Sequence, residues 1–238
     1  MKWARCFDCG QAFYGPVQLA LAWAMWKTYL GRPETKQVRV NAMTELGSGL
    51  HAAKHHEDAL TVQEAELSMR RRLGAPVQHI LAVQANLSNT YSEMGRLEQA
   101  LQMDKDIYRG RVKFNGEEDK NTLIAALNYA DSLTSLERFE EAKTLLRKIM
   151  PVAPRVLGES HALTLKMRWN YAETLHFNPS ATLDDLREAV TTLEDTERTA
   201  RRVLGGEHPS GLRGHCGRLA RRASSACRPR RWRRRVHP

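Results

Sequence analysis

A chain of 238 residues with 42% hydrophobic content has enough apolar side chain for a core, and a mean hydropathy of −0.54 argues for a soluble protein. Four cysteines, at 6, 9, 216 and 227, are too sparse for a secreted disulfide scaffold and suit a reducing compartment. The net charge of +10 belongs to the tail: ten arginines and no acid follow residue 212, which leaves 27 Lys and Arg against 27 Asp and Glu before it.

From the N-terminus, Cys6-Phe7-Asp8-Cys9-Gly10 has the spacing and trailing glycine of half a zinc knuckle. A structural zinc needs four ligands, and the sequence holds no second closely spaced pair. Cys6 and Cys9 therefore stay weak metal candidates, either the remnant of a truncated finger or two free thiols. The apolar run from Val17 to Trp26 is about half of what a bilayer span requires. Lys2 and Arg5 give a basic start, but Cys6 to Gly15 separates it from that run and no cleavage site follows. A cytoplasmic chain is expected. Val17 to Leu30 is expected to form a helix that covers the first repeat, because the end of an array needs a cap.

The repeats themselves begin near Arg32. Asn86, Asn128 and Asn170 stand 42 residues apart, as do Gly74, Gly116 and Gly158, and Ala100 and Ala142. A fixed period of this size marks stacked, similar units. Within a unit the apolar residues keep helical spacing: Ile80, Val83, Leu87, Tyr91 and Met94, then Leu97, Ala100, Leu101 and Ile107. Gly95-Arg96 breaks the first helix from the second, and Asn115-Gly116 and Leu157-Gly158 end the second. Small residues (Ser88, Ala130, Ala172 on the first helix; Ala59, Ala100, Ala142, Ala189 on the second) stand where two helices come close.

That pattern resembles the tetratricopeptide repeat. The linkers Leu157-Gly158-Glu159-Ser160-His161-Ala162-Leu163 and Leu204-Gly205-Gly206-Glu207-His208-Pro209, with Asn170-Tyr171-Ala172-Glu173-Thr174-Leu175, resemble the kinesin light chain type. The resemblance implies an all-α, right-handed superhelical solenoid of helix-turn-helix repeats. About four repeats are expected within residues 32–209, between an N-terminal segment (1–31) and a tail (210–238). The implied function is a non-catalytic scaffold for a protein or peptide partner, without cofactor or small-molecule substrate. Asp119-Lys120 and Val77-Gln78 replace the usual His-Pro of the linker, and the first copy is one residue short between Ala59 and Gly74. Pro151 and Pro154 are expected to kink or stop the helix after Ile149.

Asn86 and Asn89 are three apart and share a face; Asn128 with Asp131, and Asn170 with Glu173, occupy the same two slots. Two readings stand. The asparagines brace neighbouring helices on a solvated face, or they line a groove and hold an extended peptide by its backbone, as the resemblance implies. Trp169, where other copies have Ala85 and Leu127, is either a recognition anchor or a filler of local space. Lys166, Asp131 and Glu173 give mixed charge, which predicts neither an acidic nor a basic ligand.

No phosphate-cradling glycine loop, nucleophile elbow or isolated carboxylate pair occurs, so no catalysis is expected. His55 and His56 have no ligand partner at helical spacing, and His161 and His208 belong to the linker motif. Ala189 and Gly205 are displaced by 47, which places five extra residues ahead of Ala189. Asn178-Pro179-Ser180 has turn chemistry, and Thr182 or Asp184 can cap a helix running to about Val203. Without a well-formed fifth unit, Val190, Leu193 and Val203 are expected to be partly uncovered. The arginine-rich end reads either as a basic arm for nucleic acid, an acidic membrane or nuclear import, or as a segment that does not share the history of the repeats.

Overall fold

The computed structural model describes residues 15–204; Cys6 and Cys9, His208 and the arginine-rich end lie outside the described residues. Every regular element among the described residues is helical. Contacts divide the chain into two compact units between Phe114 and Asn115. The first holds α1 (Gly15–Tyr29), α2 (Gln37–Ala52), α3 (His56–Arg72), α4 (Val77–Glu93) and α5 (Leu97–Asn115). The second holds α6 (Lys120–Ser135), α7 (Phe139–Ile149), α8 (Val152–Leu157), α9 (Ala162–Phe177) and α10 (Leu183–Leu204). The repeated hairpins are α2 with α3, α4 with α5, α6 with α7, and α9 with α10.

The turns set the register. Between hairpins the backbone turns left-handed at Gly74, Gly116 and Gly158, with φ of 62°, 81° and 96°. Within hairpins the same conformation falls on Lys54, Gly95 and Glu137, at 64°, 74° and 58°. Glycine takes it freely, whereas lysine and glutamate do so against their Cβ atoms. Lys54, Gly95 and Glu137 each stand nine residues after the same slot, so Glu45 of α2 is the counterpart of Asn86 and Asn128.

Small residues lie where the hairpin arms meet. Ala59, Ala100, Ala142 and Ala189 are at most 1% exposed, and so are Ser88, Ala130 and Ala172. Gly47 takes this place in α2: a Cβ there would lie 3.1 Å from Gln63 Cγ. Ser88 Oγ donates to the Ala100 carbonyl at 3.1 Å, so its hydroxyl ties α4 to α5. In α1, Leu19, Ala22 and Trp26 pack on Leu46, Leu50 and Ala59. A second cluster gathers Leu60, Leu67, Val83 and Leu87 with Ile80, Tyr91 and Met94.

In the second unit Asp119 replaces the linker histidine as helix cap, accepting from the amides of Asn121 and Thr122. His161 Nδ1 accepts from Leu163 N at 3.1 Å and opens α9. Pro151 and Pro154 end α7 at Ile149 and leave α8 as a separate short turn. The insertion is only partly a loop: two of its five residues lengthen the turn to 178–182, against 136–138 one hairpin earlier, and three extend the start of α10. In the loop Asn178 Oδ1 accepts from Ser180 N, and its Nδ2 donates to Glu140 at the start of α7. Thr182 and Asp185 cap α10 reciprocally, Thr182 Oγ1 accepting from Asp185 N while Asp185 Oδ2 accepts from Thr182 N. Asp184 pairs instead with Arg187.

One expectation fails. Leu193 is 1% exposed, not partly uncovered, because it continues the buried stripe of Asp185 and Ala189 on α10, which packs against α9. Val190 is half-buried and Val203 is open, at 46%, as expected. No helix among the described residues is long and apolar enough to cross a membrane.

Candidate partner-binding face

In the first unit the first helices are α2 and α4. His51 Nδ1 of α2 lies 3.2 Å from Thr90 Oγ1 of α4, and Thr90 donates onward to Gln63 Oε1 of α3 at 2.9 Å. Burial first, and then the edge-on His56 ring, hold the His51 pKa below its ordinary value; Glu93 pulls the other way. This seam holds α4 with Asn86 half-buried and Asn89 exposed. The Asn86 backbone carbonyl accepts from Thr90. No structural hydrogen bond among the described residues engages either carboxamide.

In the second unit α6 and α9 are joined by the Thr134 and Thr174 hydroxyls, 3.1 Å apart. Asn128 is half-buried, and its carboxamide too has no hydrogen bond to a described residue. Asn170 differs. It is 8% exposed, and its Nδ2 donates to the Asp131 carboxylate across the two helices. Lys166 Nζ stands 3.8 Å from the same carboxylate. Asn170 therefore follows the bracing reading, whereas Asn86, Asn89 and Asn128 keep their donors and acceptors open.

Trp169 is also 8% exposed, with Nε1 donating to Glu173 at 3.1 Å. Its ring fills space behind the face, and what reaches the surface beside it is the Glu173 carboxylate. Behind α9, Arg147 Nε donates to the Tyr171 hydroxyl, and Arg147 and Tyr171 both donate to Glu188 of α10. Burial, then the bond to Glu188, pushes the Tyr171 phenol up to about 12. Lys143 donates to Asp185 at 2.7 Å, and that bond, with the two from Thr182, draws the Asp185 carboxyl down to about 2.

Two large residues on these stripes escaped the sequence reading. Ile124, one turn before Asn128, is 37% exposed, and Phe177, one turn after Glu173, is 51% exposed. They stand 42 residues from Lys166 and Ser135, so the repeat period was the signal that could have found them. Among the described residues no group of three or more His, Cys, Asp or Glu is placed to hold a metal ion.

The comparisons agree with this geometry. The family described as tetratricopeptide repeat matches residues 80–119 and 122–163. BtubC (BKLC) from P. vanneervenii is similar in structure, with TM-score 0.69, 15% identity, and 93% of this chain and 92% of that one covered. A candidate kinesin light chain of Podosopora anserina with nearly identical TPR-like repeats gives 0.60 at 18% identity, covering 80% and 87%. Bacillus thuringiensis PlcR, solved with the peptide PapR7 and DNA, gives 0.57 at 16% identity, covering 80% and 68%. No curated protein matches the chain in sequence. The 42-residue period, the left-handed turns and these likenesses together show tetratricopeptide repeats at residues 80–119 and 122–163, in hairpins that have the fold of the kinesin light chain-like repeats.

Proposed function

We propose that the chain is a non-catalytic, cytoplasmic interaction scaffold that holds a protein or peptide on the faces of its first helices. The contacts are Asn86 and Asn89 in the first unit and Asn128, Asp131, Lys166 and Glu173 in the second, with Asn170 and Trp169 as backing. The observation that carries the reading is the set of unengaged carboxamides at Asn86, Asn89 and Asn128. A half-buried amide with both donor and acceptor open matches the backbone of an extended peptide. The likeness to PlcR, which is described with a bound peptide, is consistent with such a use of the fold.

The test is affinity capture from a lysate with three tagged baits: the full chain, the chain ending at residue 212, and the full chain with Asn86, Asn89 and Asn128 all changed to Ala. In high salt the first two are expected to retain the same partner and the third to lose it. Capture that disappears with residues 213–238 but survives the three alanines would transfer the function to the basic tail.

A further inference from the structure

The register of the turns shows what the 42-residue period hid. Because the first copy is one residue short, Glu45 of α2 occupies the asparagine slot, with Ser48 in the place of Asn89. On α4 the same stripe ends in Glu93, one turn beyond Asn89. The α2–α4 face at positions 41, 45, 48, 52, 82, 86, 89 and 93 thus holds two carboxylates, three asparagines, a serine, two alanines and no base. Several acids elsewhere in this unit are paired: Glu34 with Arg39 and Arg72, Glu57 with Arg96, Glu66 with Arg70. Glu45 and Glu93 have no ion-pair partner among the described residues, and Glu45 is half-buried.

Resting on the reading that these faces hold a peptide, we propose that the α2–α4 face selects an extended segment with two basic side chains. Asn86 and Asn89 meet its backbone, and Glu45 and Glu93 meet its cations. Charge complementarity carries the choice: a half-buried carboxylate without a counter-ion attracts a cation and repels an acidic ligand. Spacing sharpens it. Glu93 lies seven residues further along the stripe than Glu45, or about 10 Å of helix rise, on a helix packed about 9 Å to the side. The resulting separation of about 13 Å is that of residues four apart on one side of an extended chain.

The probe is a capped, fluorescein-labelled nonapeptide of Ser, Gly and Thr with arginines at positions 3 and 7. Its counterparts carry citrulline or glutamate there, or the two arginines side by side, and binding to the full chain is read by fluorescence anisotropy. The 3,7-arginine peptide is expected to bind at least tenfold tighter than the citrulline peptide, with the adjacent-arginine peptide between them and the glutamate peptide weakest. Changing Glu45 and Glu93 to Gln is expected to reduce the arginine preference to under threefold, with an unchanged helical circular dichroism spectrum. A preference that survives those changes, equal binding of the citrulline or glutamate peptide, or binding by none of the four overturns the proposal. The Asn86→Ala, Asn89→Ala variant separates the two levels. If it weakens the citrulline peptide as well, the face still holds peptides even where the cation preference fails. If it binds every peptide as the parent does, the peptide-holding reading of this unit falls too.

Discussion

At position 95 a glycine turns the hairpin at no steric cost, while Lys54 and Glu137 make the same turn with a Cβ. Neither side chain forms an ion pair among the described residues, so nothing visible offsets the strain. Left-handed backbone costs an L-residue roughly 1–2 kcal/mol, part of which a glycine returns through the greater freedom of its unfolded chain. Lys54→Gly and Glu137→Gly are each expected to stabilise the chain by about 0.5–1 kcal/mol. Urea unfolding measures this, and a lower midpoint for both would show that the strain is not where the φ angles put it. At this scale the sequence was legible where the period held and illegible where a contact decided. Spacing alone found all three asparagines. It could not tell that Asn170 is closed by Asp131 while Asn128 is open, because that depends on the reach of a carboxylate from the neighbouring helix. Nor could it separate the two readings of Trp169, which differ only in which side of the helix has room for an indole.

The last hairpin shows how an element tolerates an insertion. Its five extra residues are shared between a loop two residues longer than that of the preceding hairpin and three added residues at the start of α10, which Thr182 caps and Lys143 of α7 holds by Asp185. The Asp185 carboxyl, drawn to about 2 chiefly by Lys143, has a folded pKa below its unfolded value near 3.8. A depressed acid stabilises the fold above the unfolded pKa, and that contribution fades as the pH falls from 3.8 towards about 2. Asp185→Asn is therefore expected to lower stability at neutral pH and to flatten the loss of stability in that acid window. Hydrogen exchange across 183–204 at neutral and acid pH reads both effects; a variant as pH-sensitive as the parent would place the acid response elsewhere. The helices were legible because buried positions recur in every hairpin at steps of three and four, as at Ala100, Asp104 and Ile107 and at Ala142, Leu146 and Ile149. Leu193 was misread because a missing fifth hairpin was taken to expose the whole outer side of α10. The stripe that carries Leu193 instead faces inward to α9, while Val190 is half-buried and Val203 near the helix end is open.

For the whole molecule the question is where charge is free to act. Within the array, several opposite charges tie neighbouring elements together: Arg96 with Glu57, Lys148 with Glu117, Arg155 with Glu118, Lys143 with Asp185, Arg147 with Glu188. Residues 1–212 carry equal numbers of formal acids and bases, whereas 213–238 carry ten arginines and no acid. An array with no net charge has no long-range attraction for a polyanion, while a run such as Arg233-Arg234-Arg235 attracts phosphate whatever the base sequence. The full chain is therefore expected to bind duplex DNA of random sequence at low salt and to release it as salt rises. If about five arginines meet phosphates, the logarithm of the binding constant falls with that of salt at a slope near −4 to −5. The chain ending at residue 212 is expected to show no such binding. Equal DNA binding by the two forms would place the polyanion surface on the helices. Peptide capture by the first helices depends far less on salt. Carboxamide contacts to a backbone release no counter-ions, and ion pairs at Glu45 and Glu93 add only a shallow slope. Salt thus separates the two activities without any knowledge of the partner: DNA binding that fades with salt and peptide binding that persists assign one to the tail and the other to the repeats.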